Sequence, residues 1–599
     1  MGRKRANRIY SMFHYEEEIK KSKCLMEGCN MFIKGNHAGN LLRHFNAQHE
    51  LKYDEIVKLN NEDKENVPPS GSENAATVMQ YCTELITVHG RPLSIVEDEA
   101  FEKILRLIPG LTQRDVNSIN VKNVKENIKQ QSHDVRFEIT KQLNNKLVAL
   151  KVDVASVKLR RFLGLNVQYI SDGQIHLKNL SVLELHDRNT AQYLKENVVL
   201  ILSRYGITPN QIFTITTDNG ANMIRMVNEL NDSAIQDSEN EVEVTVGDES
   251  DDIVELQVQD EDSDMRKIIG IRCAAHCLQL AVKDACKDIE DFFEKCRKIV
   301  RKLRTPNMSL KLKEKNLPQA VLDTQTRWDS TADMLENLQK LKPFCMENMT
   351  MEENIWGQID GYLDILLPCR ILSKRLQTEQ LTCGDFYLAW MRCHHQLSLV
   401  DDAFARQLES CMDERQAVLF VNEHFLAAIY LDPRVNFALN TNQATEARKF
   451  LTDIYMRIVK LKQHQGQSQP VPGTSETSEA DTRASDSFED YLRHQFAGNE
   501  RINVQFTLEN ELIYKLVSFL QEPALPPNSN ILEYWSLKKV SHPYLYNMAM
   551  VVLATPPTSV SVERLFSSLK FVLNNLRMRL NDSIIEDIML IRNNNLYSK

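Results

Sequence analysis

The residues best spaced for chemistry lie near the N-terminus. Cys24 and Cys29 enclose four residues, and so do His44 and His49, within CLMEGCNMFIKGNHAGNLLRHFNAQHE (24–50). Four nitrogen and sulfur donors in two close pairs can converge on a tetrahedral zinc ion, one pair from a turn and the other from a helix. NLLRHFNAQH fits that helix. Tyr10, Phe13, Phe32 and Phe45 are expected to pack around it, because so small a module has little other core. A second set is acidic. Asp153 ends a run rich in β-branched residues, and Asp218 ends another, in TTDNGANM. Carboxylates at the ends of neighbouring strands can hold one or two hard divalent cations, Mg²⁺ or Mn²⁺, and a metal pair suits phosphodiester cleavage. An Asp at a strand end also serves as a cap or turn residue, and both readings stand on these residues alone.

The elements that must position these groups follow from periodicity. KLVALKVDVA (146–155), FLGLNVQYI (162–170) and IHLKNLSVLEL (175–185) read as strands, with a turn at Ser171-Asp172-Gly173. TAQYLKENVVLILSRYG (190–206) reads as a helix with Thr190 near its N-cap and Gly206 past its end. QIFTITTDN (211–219) is a fourth strand, KIIGIRC (267–273) a fifth, and AAHCLQLAVKDAC (274–286) a helix. Strand, strand, strand, helix, strand defines an α+β or α/β unit. Residues 77–146, 287–460 and 504–595 carry helical patterns. DFFEKCRKIVRKLR (291–304) has Phe292, Cys296, Ile299 and Leu303 along one side and Lys295, Lys298, Arg301 and Lys302 on another, a solvated face or a DNA-backbone contact. In the tail, Leu565, Leu569, Val572 and Leu576 recur at helical spacing, which fits either an intertwined dimer or a core helix of the same chain.

At 599 residues the chain is too long for one core and is expected to hold several domains. Its net charge of −10 is localised, since residues 232–264 hold 14 acidic and no basic residues and the remainder carries +4. No long apolar run predicts a membrane span, and MGRKRANRIY is not a secretory signal. The 12 cysteines are expected to be thiols or metal ligands, and Arg3, Lys4, Arg5 and Arg8 form a short basic start that reads as a nuclear-import signal or a solvated tail.

The N-terminal stretch resembles a BED-type zinc finger, with aromatics before the first cysteine and NLLRH leading into the histidines; that family usually places two residues between its cysteines rather than four. Such a finger presents helix side chains to base edges, which points to Asn36, His37, Asn40 and Arg43, with Lys20, Lys21, Lys23 and Lys34 near phosphates. Residues 554–594, ATPPTSVSVERLFSSLKFVLNNLRMRLNDSIIEDIMLIRNN, resemble the C-terminal dimerisation region of hAT-family DNA transposases. RPLSIVEDEAF (91–101), TTDNGANM (216–223), CAAHCLQLAV (273–282) and TRWDS (326–330) fit the same family in the same order.

That resemblance implies a multidomain α+β protein: a small zinc finger, an RNase H-like α/β catalytic core interrupted by a large all-α insertion, and a helical C-terminal dimerisation region. The implied boundaries are 1–55 for the finger, 56–76 for a linker and 77–145 for a helical DNA-binding or dimerisation region. The first part of the core covers 146–290 with an acidic insertion at 231–265. The helical insertion covers 291–545 with a linker at 463–487, and the last core helix and dimerisation region cover 546–599. The implied catalytic triad is Asp153, Asp218 and Glu563. Trp328 falls where the family stacks a flipped base, and Cys273 and His276 fall where it positions strand and helix near the active site and DNA. Many members carry a tryptophan two residues after the first catalytic Asp, where this chain has Ala155. The partners implied are double-stranded DNA and a second copy of the chain in the nucleus, with no membrane and no small-molecule substrate. A recruited regulator that keeps the finger and dimer surface but no longer transposes is the alternative.

Overall fold

The computed structural model describes residues 8–26, 29, 31–49, 73–236, 268–324, 328–350, 354–463, 508–573 and 580–597. Most of the expected linkers and nearly all of the acidic insertion lie outside these residues, but residues 73–76 of the first linker are helical. Two compact units result: Met1–Leu85 with Leu93–Asn127, and Ile86–Pro92 with Ile128–Lys599.

The first unit holds a three-stranded antiparallel sheet of β1 (Phe13–Glu16), β2 (Lys21–Cys24) and β3 (Phe32–Lys34), followed by helix α1 (Ala38–Gln48). Its small core is Ile9, Phe13, Cys24, Leu41 and Phe45. Tyr10 and Phe32, expected inside, are 39% and 42% exposed. Phe32 lies on β3, an edge strand of this sheet, with the Lys23 ammonium 5.8 Å from its ring centre. Further helices span Glu73–Thr87, Glu99–Arg106, Gln113–Ser118 and Val121–Leu143, the second capped by Asp98 and the third by a Thr112–Asp115 capping box.

The second unit is built on a five-stranded sheet, β4 (Val148–Val157), β5 (Arg160–Ser171), β6 (Gln174–Leu185), β7 (Ile212–Thr217) and β8 (Ile269–Arg272), in the order β6-β5-β4-β7-β8. β4, β5 and β6 pair antiparallel, as tight hairpins allow. β7 and β8 run parallel to β4, because helices Ala191–Ser203 and Ala221–Gln236 carry the chain back across one face. Val148, Leu150, Val152, Leu163, Leu165 and Val167 pack with those helices and with Ile139 and Leu143. The opposite face is covered by α2 (Val560–Val572), whose Val562, Leu565 and Leu569 are wholly buried. Beyond the sheet, helices fill most of 274–463 and 508–552 and share a large core with the sheet edge. The fold is thus mixed α/β with small sheets, a large helical region and a helical C-terminus.

The stripe Leu565, Leu569 and Val572 is not a free dimer surface, because all three side chains are fully buried in their own chain, where α2 lies on β4 and β5. Leu576 lies outside the described residues. The basic helix Glu290–Leu303 also buries a charge at Arg297, which meets Asp323 at 2.8 Å inside the protein.

Candidate functional site

The finger draws its four donors together. Cys24 closes β2, Cys29 follows in the turn, His44 lies in α1 and His49 is its C-cap. The ligand atoms all fall within 4.8 Å of one another. Cys24 Sγ lies 3.7 Å from His49 Nε2, and Cys29 Sγ 3.5 Å from His44 Nε2. A tetrahedral zinc with bonds of about 2.3 Å to sulfur and about 2.05 Å to nitrogen has S–N edges of about 3.6 Å. The cluster therefore suits zinc, and the unusual cysteine spacing is absorbed by the turn, where Cys29 N donates to Met26 O. Burial pushes the Cys24 thiol up, and burial together with His49 pushes the His44 imidazolium down. Asn36, His37 and Arg43 are exposed and Asn40 half-buried. They share the start of α1 on the side away from buried Leu41 and Phe45.

Asp153, Asp218 and Glu563 lie near enough for their charges to interact, but unlike the finger donors they are not among the groups whose ligand atoms all fall within 4.8 Å of one another. Asp153 lies on β4, Asp218 directly follows β7 on the neighbouring parallel strand, and Glu563 sits in the first turn of α2. Asp153 is half-buried, and one oxygen accepts its own following amide, Val154 N–H, at 2.8 Å. Burial first, then the Asp218 carboxylate and more weakly Glu563, push its carboxyl up to about 7. Asp218 accepts Gly220 N–H at 3.1 Å, which tightens the loop after β7. Lys151 is two residues before Asp153, hence on the same face of β4. It is buried, and burial pulls its ammonium down to about 7, assisted by Arg564 and opposed by Cys273 and Glu379. Burial is the largest cause of both shifts, so this face of β4 is short of solvent.

The placement of Glu563 depends on a stitched segment. Gln168 donates to Ala554 O at 2.8 Å, Thr214 meets Thr555 at 3.2 Å and Thr216 donates to Pro556 O at 2.7 Å. Asn166 then donates to Ser561 Oγ at 3.2 Å. Buried Cys273 joins both sides: its N–H donates to Thr217 O at 2.9 Å, and its sulfur accepts Ser559 N–H at 3.3 Å. His276, half-buried, follows one turn later in helix Ala274–Ala285. Gly164, opposite Asp153 in the β4–β5 register, lets α2 approach: a Cβ there would stand 2.5 Å from Val562 Cγ1. The sequence reading passed over Gly164, Lys151 and the threonine and asparagine ladder; a lone Gly inside a strand was the one available signal.

Trp328 is corrected by its burial. Only 6% of it is exposed, and it packs with the helical core at the rim of a cavity of about 380 Å³ lined by Lys283, Lys287, Phe293, Arg297 and Thr331. In this arrangement its ring is not open to a base.

A large polar spine anchors the C-terminal helix Asp582–Tyr597 on β6. Ser181 and Arg204 both bond Glu586 at 2.6 Å, Ser132 and Arg136 bond Asp587 at 2.7 and 3.0 Å, and Asn179 N–H donates to Asn594 at 3.0 Å. Glu184, His186 and Asp582 also cluster closely, but the Arg160 guanidinium already bonds both carboxylates, so the group is an ion-pair clamp.

Comparison with known proteins defines the class. Residues 515–595 match the hAT family C-terminal dimerisation region, and residues 271–358 match the ZBED1 RNase-like helical domain. The chain thus carries a hAT dimerisation region and a ZBED1-like helical domain, and its relatives are BED zinc finger proteins and AC transposases. Among them, human "Zinc finger BED domain-containing protein 4" is 24% identical over 322 residues, covering 50% of this chain and 27% of that protein. The "Putative AC transposase" of Zea mays is 21% identical over 549 residues, 84% of this chain and 63% of that one. "Zinc finger BED domain-containing protein RICESLEEPER 3" of Oryza sativa subsp. japonica is 21% identical over 532 residues, 80% and 64%. The chain spans between about a quarter and two thirds of the length of these relatives. No helix among the described residues is long and apolar enough to cross a membrane.

Proposed function

We propose that this chain is a nuclear, sequence-specific DNA-binding protein of the hAT transposase kind, with a metal-dependent centre for DNA strand cleavage and transfer at Asp153, Asp218 and Glu563. The single observation that carries the reading is the placement of Asp153 on β4, Asp218 just after its parallel neighbour β7, and Glu563 in the first turn of α2, which lies on β4 and β5. Carboxylates from β4, the end of β7 and α2 thus interact, and a bound cation would relieve their repulsion, as protonation of Asp153 does without one. The strand order β6-β5-β4-β7-β8 supports an RNase H-like reading of the sheet.

Asp153, Asp218 and Glu563 would hold Mg²⁺ or Mn²⁺, which, when bound, neutralises phosphate charge and activates an attacking water or DNA hydroxyl. The chain's own residues hold the site. Asn166, Ser561 and Cys273 fix the entry to α2, and Gly220 fixes the Asp218 loop. Buried Lys151 places an amine on the same face. Cys24, Cys29, His44 and His49 would hold zinc, and so fix α1 to carry Asn36, His37, Asn40 and Arg43 to base edges. His276 contributes beside the same centre. Self-association runs through the C-terminal region by surfaces other than the buried Leu565, Leu569 and Val572. A second reading, a dimeric transcription or chromatin regulator without cleavage, is favoured by Ala155 and by a human relative whose name carries only the finger.

The test is incubation of the zinc-loaded full chain with supercoiled plasmid and Mn²⁺, wild type against Glu563→Gln. Nicks that vanish in the variant support a working centre. Binding without nicks in either protein replaces it with the regulator.

A further inference from the structure

The β4–β5 hairpin ends in a two-residue turn, Lys158-Leu159, between the paired residues Val157 and Arg160. Both turn residues have positive φ, +49° and +69°. Such a turn matches the twist of the strands, but it is normally Asn-Gly, because an L side chain is strained in the left-handed region. Here the strained position carries a leucine, and that leucine is fully exposed (103%). A bulky apolar side chain held in strain and covered by nothing among the described residues gains nothing from folding.

The hairpin is braced so that the tip cannot fold back. Arg160 Nε donates to Glu184 at 2.7 Å, and its guanidinium reaches Asp582 at 3.1 Å and Leu580 O at 3.2 Å. Val157 is buried. The tip is also placed with respect to the carboxylates. β4 runs outward from Asp153, and six residues at roughly 3.3 Å each put Leu159 roughly 15–20 Å beyond it, about five base-pair steps. Lys158 and Arg161 flank the leucine with positive charge.

We propose that this tip is a DNA wedge: Leu159 inserts between base pairs of duplex bound at the carboxylate centre, while Lys158 and Arg161 lie against the adjoining phosphates. An apolar side chain on a rigid basic support is the form of side chain that unstacks a base step and kinks or unwinds duplex. The inference rests on the proposed reading of this face as a DNA-cleavage centre, and it assigns the hairpin a part in distorting the substrate rather than in chemistry.

Unwinding by a wedge is measured without knowledge of the binding sequence. The zinc-loaded full chain is bound to a relaxed closed-circular plasmid, topoisomerase I is added, protein is removed, and the change in linking number is read at equal occupancy. Wild type is expected to unwind the plasmid, and Leu159→Ala to lose most of that change, about threefold or more. The double variant Lys158→Asn, Leu159→Gly supplies the preferred turn, so it is expected to melt no lower than wild type and still fail to unwind. A wild type that binds without unwinding, or variants that unwind as wild type does, overturns the wedge while leaving the DNA-binding proposal intact. A chain that binds no plasmid overturns both. A change in oligomeric state on Leu159→Ala with unwinding intact reassigns the tip to contact with a second copy.

Discussion

Replacing Gly164 by alanine is expected to push the helix carrying Glu563 off the sheet. The added Cβ would stand 2.5 Å from Val562 Cγ1 and 3.1 Å from Phe566 Cζ. Carbon atoms rest at about 3.5–4.0 Å, so α2 must retreat by about 1 Å or Val562 must leave its rotamer. Overpacking of this kind costs about 1–3 kcal/mol, because Val562 is wholly buried and Phe566 nearly so. A displacement near 1 Å also costs about 100-fold where positioned groups act together. Val562→Ala alone removes two buried methyls, a loss of about 1–2 kcal/mol. In the double variant the new methyl enters the space that Val562 vacates. Urea unfolding of the four proteins therefore gives a favourable coupling of about 1–2 kcal/mol. A Gly164→Ala protein as stable as wild type, or strictly additive single changes, refutes the close approach of α2 to β5 and with it the placement of Glu563.

Asp153 makes the metal-free protein sensitive to pH. Its folded carboxyl titrates near 7 and its unfolded one near 3.8, so the folded state keeps a proton that the unfolded state has lost. The Asp153 contribution to stability is therefore full below about pH 4 and is lost as pH rises to about 7, by a few kcal/mol at most. Asp153→Asn removes that slope in a pH series of melting curves. Zinc removal is expected to melt α1, since its core is five side chains, and Cys29→Ser should abolish zinc uptake measured by a colorimetric chelator. Zinc affinity should rise with pH, because both thiols must lose protons on binding. Arg160→Ala leaves Glu184 largely buried without its partner, a loss of about 2–4 kcal/mol in stability seen by differential scanning calorimetry.

The sheet was legible in the sequence because its strands obey local rules. Runs of β-branched residues and the Asp172-Gly173 turn locate β4, β5 and β6 to within two residues, and Thr190 caps its helix as expected. The finger was legible because four donors in two pairs have few other uses. Residues brought in from afar were harder. Glu563 was reached only through family resemblance, since nothing local distinguishes one helical Glu from another. Leu565, Leu569 and Val572 showed an apolar stripe truthfully, but a period names the buried side and not what buries it. Trp328 was hard for the same reason: its exposure is set by helices distant in sequence, Ala274–Ala285 and Asn354–Leu376 among them. The Lys158-Leu159 turn was invisible because neither residue is a turn former, and only the backbone angles reveal it.

The central claim is that three carboxylates from β4, the end of β7 and α2 form one cation site. Its most direct test is titration of Mn²⁺ into the zinc-loaded full chain, read by electron paramagnetic resonance, for wild type, Asp153→Asn, Asp218→Asn and Glu563→Gln. The account predicts Mn²⁺ binding in wild type that each substitution weakens by at least about tenfold, with folding intact by circular dichroism. Binding unchanged in all three variants, or none in wild type, contradicts it.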